Sequence, residues 1–177
     1  MKQTTARWQL AGFVFTSIAG TFLHFLYDIT GENPVAGVFS AVNESIWEHM
    51  KLLYYPMMLF SVAEYRRWGR EQPGFWCSKL AGMTVGLGLI PVLYYTYTGI
   101  LGVSADWFNI TIFFLAALVA YRLETWLLHR GTCRIPKGWA IALLVAIGLI
   151  FTLLTFFPPR IPFFQDPVTG TYGIRRG

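Results

Sequence analysis

The sequence predicts an all-α membrane protein, a polytopic bundle of about five transmembrane helices. Its 177 residues are 55% hydrophobic and only 13% charged, whereas a soluble domain carries about a quarter charged residues. Long apolar runs recur along the chain, and each is long enough to cross a bilayer. Aromatic residues make up 18% of the chain, which is typical of proteins with interfacial aromatic belts. We therefore expect a single integral membrane domain over residues 1–177.

The first two helices are predicted over residues 8–30 and 43–65. The first run follows Lys2 and Arg7 and so resembles a signal peptide. It is longer than a signal peptide core, and no small-residue cleavage site follows it, so we interpret it as a retained helix. A connector rich in Gly and Pro separates the two helices, which makes them antiparallel neighbours.

Three further helices are predicted over residues 75–97, 105–128 and 138–157. Two prolines stop the last one, and the tail, residues 158–177, is rich in turn-forming residues. Its composition leaves two interpretations open, a lid folded over the outer face of the bundle and a disordered end.

Gly82 and Gly86 are four residues apart in the third helix and make a smooth face for close helix packing. Such faces mediate association in membranes. We therefore expect that a homo-oligomer could form through this face.

The basic residues predict the orientation of the bundle. Ten of the 14 Lys and Arg residues fall on the side that holds the N-terminus, and four fall on the other side. The positive-inside rule therefore places the N-terminus in the cytoplasm and the C-terminal tail outside. The net charge of +5 does not indicate nucleic-acid binding, because the basic residues cluster beside apolar runs.

Cys77 and Cys133 lie on the predicted cytoplasmic side and match no disulfide framework, so we expect reduced thiols.

A polar segment at the start of the second helix, NESIWEHMK over residues 43–51, is the strongest functional signal. Ionisable residues at the mouth of a membrane helix are costly and need partners or a function. His24 and Asp28 share one face at the outer end of the first helix. Because the two helices are neighbours, these residues are expected to meet Glu48 and His49 in an outward-facing pocket.

This pocket has two chemical interpretations. In one, His24, Asp28, Glu48 and His49 bind a divalent metal, zinc by preference, and a remaining carboxylate acts on a metal-bound water. In the other, no metal is bound and a His–carboxylate pair performs acid/base catalysis. The predicted catalytic set is Asp28, Glu44, Glu48 and His49. The structural alternative is that these groups cap the second helix and pair with Lys51.

Other polar residues are predicted at the same membrane face. We assign a substrate-binding role to Asn43, Lys51, Asp106, Asn109, Asp166 and Tyr172, with Lys51 contacting an anionic headgroup. At the opposite face, Arg122, Glu124 and His129 are interpreted as a structural ion-pair cluster.

The run HFLYDITGENPVAGVFSAVNESIWEHMK and the tail segment DPVTGTYG resemble a family of small bacterial polytopic membrane proteins of unknown function. The segments NES-x-WEH-x-K and DPxTGxYG are the most distinctive parts of that resemblance. It implies a bacterial plasma membrane protein and says nothing about a reaction.

The residues themselves predict a hydrolase or transferase, with or without a metal, that acts on a lipid, a lipid-linked substrate or a small amphiphile. The alternatives are an ion- or proton-coupled binding or transport protein and a non-catalytic accessory subunit of a membrane complex.

Overall fold

The computed structural model describes residues 2–174, with side chains from Thr5 onward, and these residues form helices joined by turns. No strand occurs among them beyond a single bridge between Gln165 and Tyr172. This confirms the all-α fold. The helices are α1 (Lys2–Ile29), α2 (Pro34–Phe39), α3 (Ile46–Arg67), α4 (Phe75–Leu101), α5 (Asp106–Arg130) and α6 (Lys137–Phe156), with two short 3₁₀ turns at Gly69–Glu71 and Pro162–Phe164.

Four of these helices are long and apolar enough to cross a membrane, namely α1 from Thr5, α4, α5 and α6. The exposed side of α1 is apolar. Leu10, Val14, Ile18, Phe22 and Phe25 follow one another at spacings of three or four residues and are all exposed. Soluble monomers rarely expose an apolar surface of this length, and such surfaces mark contacts with a membrane or another protein.

The remaining predicted span, residues 43–65, corresponds to α3, which is not among these four helices. It packs against α1, α4 and α6, and charged residues lie near both of its ends. Glu48 and Lys51 at one end and Glu64 at the other are buried. Three helices therefore flank α3, and the protein supplies the polar contacts that its buried charges need.

Gly82 and Gly86 pack inside the bundle, against α5. A Cβ atom at Gly82 would lie 2.3 Å from Glu124 Cγ and 2.8 Å from the Ala120 carbonyl oxygen. At Gly86 it would lie 3.0 Å from Ala120 Cβ. The face predicted for a homo-oligomer is therefore occupied within the chain and is not available to a second copy.

The prediction of two reduced cysteines is wrong for this structure. Cys77, in the first turn of α4, forms a disulfide with Cys133 in the loop between α5 and α6. Their Cα atoms are 5.7 Å apart, within the usual range for a disulfide. The two positions are 56 residues apart in sequence. No short sequence motif predicts this disulfide. It forms because α4 and α5 pack side by side.

The tail turns back over the start of α3. Phe164 packs against Trp47 with ring centroids 4.8 Å apart. Asn43 donates a hydrogen bond from Nδ2 to the carbonyl oxygen of Gly173 (3.2 Å). Gly173 has φ of +61° and sits where a Cβ atom would lie 2.6 Å from the Thr155 carbonyl oxygen. Only glycine combines this backbone conformation with so close an approach.

Candidate metal centre

Three side chains from separate segments meet where α1 ends and α3 begins. His24 lies near the end of α1, Glu44 in the connector before α3, and His49 in the first turn of α3. In residues 2–174 these are the His, Cys, Asp or Glu side chains that could together hold a metal ion, since their ligand atoms lie within 4.8 Å of one another. We call this group the His–Glu–His cluster.

The carboxylate of Glu44 lies between the two imidazoles. Its Oε1 is 3.9 Å from His24 Nε2, and its Oε2 is 3.4 Å from His49 Nε2. The two imidazole centroids are 5.3 Å apart. All three side chains are partly exposed, with fractions of 29% for His24, 32% for His49 and 48% for Glu44. An ion or a small substrate group can therefore reach the cluster.

The turn before α3 sets the position of Glu44. Asn43 Oδ1 accepts a hydrogen bond from the Ser45 backbone N–H (2.9 Å), which makes a local side-chain turn. Ser45 is the N-cap of α3, and its Oγ accepts from the Glu48 N–H (3.4 Å). Glu44 is thus held between a turn and a cap, outside the helix, and its carboxylate is free to face α1.

The hydrogen bond at Nδ1 of His49 leaves its Nε2 available as a metal ligand. Its Nδ1 is 2.9 Å from the Ser45 carbonyl oxygen. A carbonyl oxygen only accepts, so in the neutral imidazole Nδ1 carries the proton and Nε2 offers its lone pair towards Glu44. His24 Nδ1 is buried without a hydrogen-bond partner in the described part of the chain. Its Nε2 is the atom that faces the cluster.

Glu48 and Lys51 do not join this cluster, although both were predicted in the site. Lys51 Nζ is 2.6 Å from Glu48 Oε2 and donates to Thr155 Oγ1 (2.9 Å) and to the Gly37 carbonyl oxygen (2.8 Å). Thr155 Oγ1 in turn donates to Glu48 Oε1 (2.9 Å). All three residues are 1% exposed or less. We call this the Glu48–Lys51–Thr155 network, and its contacts tie α2, α3 and α6 together.

Asp28, Asp106 and Asn109 also lie outside the cluster. Asp28 is exposed at the end of α1, one turn beyond His24. Asp106 is exposed at the start of α5. Asn109 is hydrogen-bonded to the Tyr97 hydroxyl and to Ser104 Oγ, within the turn that joins α4 to α5.

The other residues predicted to bind substrate, Asp166, Tyr172 and Asn43, make contacts that hold the tail in place. Asp166 is 4% exposed, and its carboxylate accepts from the Val168 N–H and from Thr169 Oγ1. Tyr172 pairs with Gln165 across the resulting turn. Asp166 therefore holds the tail turn closed, and Asn43 ties that tail to the start of α3.

A second charged centre, not predicted from the sequence, lies at the opposite end of the bundle. Lys79 Nζ lies between the carboxylates of Glu64 and Glu124, 2.6 Å from Glu124 Oε2, and all three residues are 0% exposed. Gln9 Nε2 donates to Glu64 Oε1 (3.0 Å). We call these three residues the Glu64–Lys79–Glu124 triad. Glu124 thus pairs with Lys79, and Arg122 and His129, its predicted companions, are exposed.

One signal could have revealed the triad. Each of its three members lies at least three residues inside a long helix and has an apolar residue on at least one side, where a solvated charge is not expected. Their sequence separations of 15 and 45 residues hide the pairing from any short motif.

The fold and the His–Glu–His cluster together define a helical, membrane-type bundle that carries a candidate metal centre at one end. The chain belongs to DUF6512, a family of unknown function whose model matches residues 1–174. No curated protein and no solved structure matches it. Membership of a family of unknown function is thus confirmed, while the bacterial source and the two signature segments stay predictions.

Proposed function

We propose that this protein is a metal-dependent membrane hydrolase or transferase acting on a lipid or lipid-linked substrate. The observation that supports this is the His–Glu–His cluster, in which two imidazole nitrogens and a carboxylate converge within 4.8 Å. Two His and one Glu form a known ligand set of catalytic zinc, which keeps a fourth position for water or substrate. Ligands about 2.0 Å from a tetrahedral ion lie roughly 3.3 Å apart. Small side-chain rotations would bring the cluster to that geometry.

In this proposal the residues have separate tasks. His24, Glu44 and His49 bind the ion, and the Ser45 carbonyl oxygen fixes the His49 tautomer. A bound zinc ion lowers the pKa of its water and polarises a substrate oxygen. Asp28, exposed one helical turn beyond His24 on α1, is the carboxylate to which we assign the proton acceptor. Glu48 is excluded from this role because Lys51 and Thr155 occupy its carboxylate.

The surroundings of the cluster favour a lipid-linked substrate. His24 lies five residues before the end of α1, which is about 7.5 Å at helical rise. The neighbouring Phe22, Phe25 and Ile29 are exposed. A site at this depth, beside an apolar surface, is accessible from the headgroup region of a bilayer.

Zinc binding is the direct test. Stripped protein in detergent should bind about one zinc ion per chain, measured by titration calorimetry and elemental analysis. His24→Ala, Glu44→Gln and His49→Ala should each weaken binding by at least about tenfold. His129→Ala is the matched control, because it changes the one other histidine of the chain at the far end of α5. If wild type binds no zinc, or if all three variants bind it as wild type does, the metal proposal fails.

Turnover is tested separately from metal binding. Zinc-loaded protein is incubated with phosphatidylglycerol and phosphatidylethanolamine vesicles, and released headgroup or fatty acid is measured. Asp28→Asn should retain zinc and lose most of the turnover, because it removes the proposed proton acceptor alone. Equal turnover by Asp28→Asn and wild type would contradict the proposed role of Asp28.

A second candidate function, proton- or ion-coupled transport, is supported by the Glu64–Lys79–Glu124 triad. Fully ionised, its two carboxylates and one ammonium leave one negative charge buried in the bundle. A bound proton or cation would neutralise that charge. Proteoliposomes with an entrapped pH dye would report proton movement, and a Glu124→Gln variant with undiminished flux would exclude the triad as the carrier.

We further propose a five-span protein of the bacterial plasma membrane, with the N-terminus in the cytoplasm and the cluster outside. In this orientation Cys77 and Cys133 face the cytosol, where disulfides rarely persist. Because the structure joins these two cysteines, the redox state of the pair in growing cells tests the orientation, and thiols that form the bridge only after treatment with diamide would support it. Alkylation of intact cells with a maleimide polymer, followed by a gel-shift assay, measures this, with Cys77→Ser as the one-thiol standard. A bridge in untreated cells would reverse the orientation.

A further inference from the structure

A cavity of about 340 Å³ opens at the end of the bundle opposite the His–Glu–His cluster. It lies beside the Cys77–Cys133 disulfide, between the 3₁₀ turn after α3 and the starts of α4 and α6. Arg70, Arg134 and Lys137 line it, and its described lining includes no Asp or Glu. Three cations around one cavity without a counter-charge produce a positive potential inside it.

Two long helices begin at this cavity. α4 has Gly74 as its N-cap and α6 has Pro136, and neither helix receives a side-chain capping bond or carries an acidic residue in its first turn. The first N–H groups of a helix are unsatisfied and carry partial positive charge. Anions bind at such helix starts.

Aromatic side chains form part of the cavity wall. Phe75 and Trp76 line it, and both are buried. A low-dielectric wall beside three cations strengthens their attraction for an anion.

We propose that this cavity binds the phosphate group of an anionic ligand. Arg70 and Arg134 offer guanidinium groups suited to phosphate oxygens, and Lys137 adds a third positive charge. The two helix starts offer neutral N–H donors. The cavity lies at the end of two candidate membrane helices, so a phospholipid headgroup and a free phosphate present the same chemistry to it.

The test uses the purified full-length protein in detergent and two probes, inorganic phosphate and solubilised phosphatidylglycerol, with phosphatidylcholine as a lipid of no net charge. Thermal stability is measured as each probe is titrated, since a ligand that binds the folded state raises it in a saturable way. Arg134→Gln and Lys137→Gln should each weaken binding about tenfold, the worth of one charge-assisted hydrogen bond. Arg66→Gln is the matched control, an exposed arginine at the same end that does not line the cavity.

Each outcome decides the proposal. Stabilisation by both probes identifies a phosphate site open to free ions, and stabilisation by phosphatidylglycerol alone identifies a headgroup site. The proposal is overturned if neither probe gives saturable stabilisation, or if Arg66→Gln weakens binding as much as Arg134→Gln does.

Discussion

Replacing Lys79 with methionine is expected to destabilise the bundle by about 3–5 kcal/mol, because it breaks a buried ion pair and leaves its partners unpaired. Lys79 is the ammonium shared by Glu64 and Glu124, and none of the three is exposed. Without it two carboxylates face each other in the protein interior. Unfolding in mixed micelles at rising SDS fraction, followed by tryptophan fluorescence, measures the loss.

Two further variants isolate the cause. The triple variant Glu64→Gln, Lys79→Met, Glu124→Gln removes all three charges together and should recover most of the lost stability, since a neutral, packed replacement of a buried ion triad is tolerated. Arg66→Met changes an exposed arginine near the same end and should shift stability by about 0.5 kcal/mol or less. A Lys79→Met protein as stable as Arg66→Met would contradict the idea that the triad stabilises the bundle.

Composition and apolar runs were sufficient to predict the helical architecture. Transmembrane-length helices are specified by local hydropathy and ended by Gly and Pro, and both signals lie within the segment itself. The loop at Gly102, where φ is +71°, and the stop after Phe156 follow from such local rules. α3 was the harder case, because its charged residues are stabilised by distant parts of the chain.

The candidate site was predicted in part, and the start of α3 explains the difference. A helix beginning at residue 43 would place Glu44 and Glu48 on one face, four residues apart. The observed helix begins at Ile46, so Glu44 belongs to the connector and Glu48 to the first turn. The hydrogen bond from the Ser45 N–H to Asn43 Oδ1 sets this boundary. As a result Glu44 joins the histidines while Glu48 turns inward.

Contacts between residues far apart in sequence account for what could not be predicted. Thr155 lies 107 residues from Glu48, and Cys133 lies 56 from Cys77. Hydropathy and periodicity describe a segment and its faces, but they do not say which face of which other helix it meets. Lys51 was therefore assigned to a headgroup, although its buried ammonium is satisfied within the protein by Glu48, Thr155 and the Gly37 carbonyl oxygen.

The two glutamates of the polar segment should consequently respond to mutation in opposite ways. Glu48→Ala is expected to cost about 3–5 kcal/mol of stability, because it leaves the Lys51 ammonium buried without its counter-charge. Glu44→Gln, at a half-exposed position, should change stability by about 0.5 kcal/mol or less. Zinc affinity should show the reverse order, falling in Glu44→Gln and persisting in whatever fraction of Glu48→Ala remains folded.

The double variant Glu48→Gln, Lys51→Met makes this contrast decisive. It removes both charges of the Glu48–Lys51–Thr155 network while keeping side chains of similar length, so its stability should return to within about 1–2 kcal/mol of wild type. Because the His–Glu–His cluster is untouched, the double variant should also bind zinc as wild type does. A stable double variant that has lost zinc would place Glu48 among the ligands, and would show that binding the ion moves its carboxylate from Lys51 to the metal.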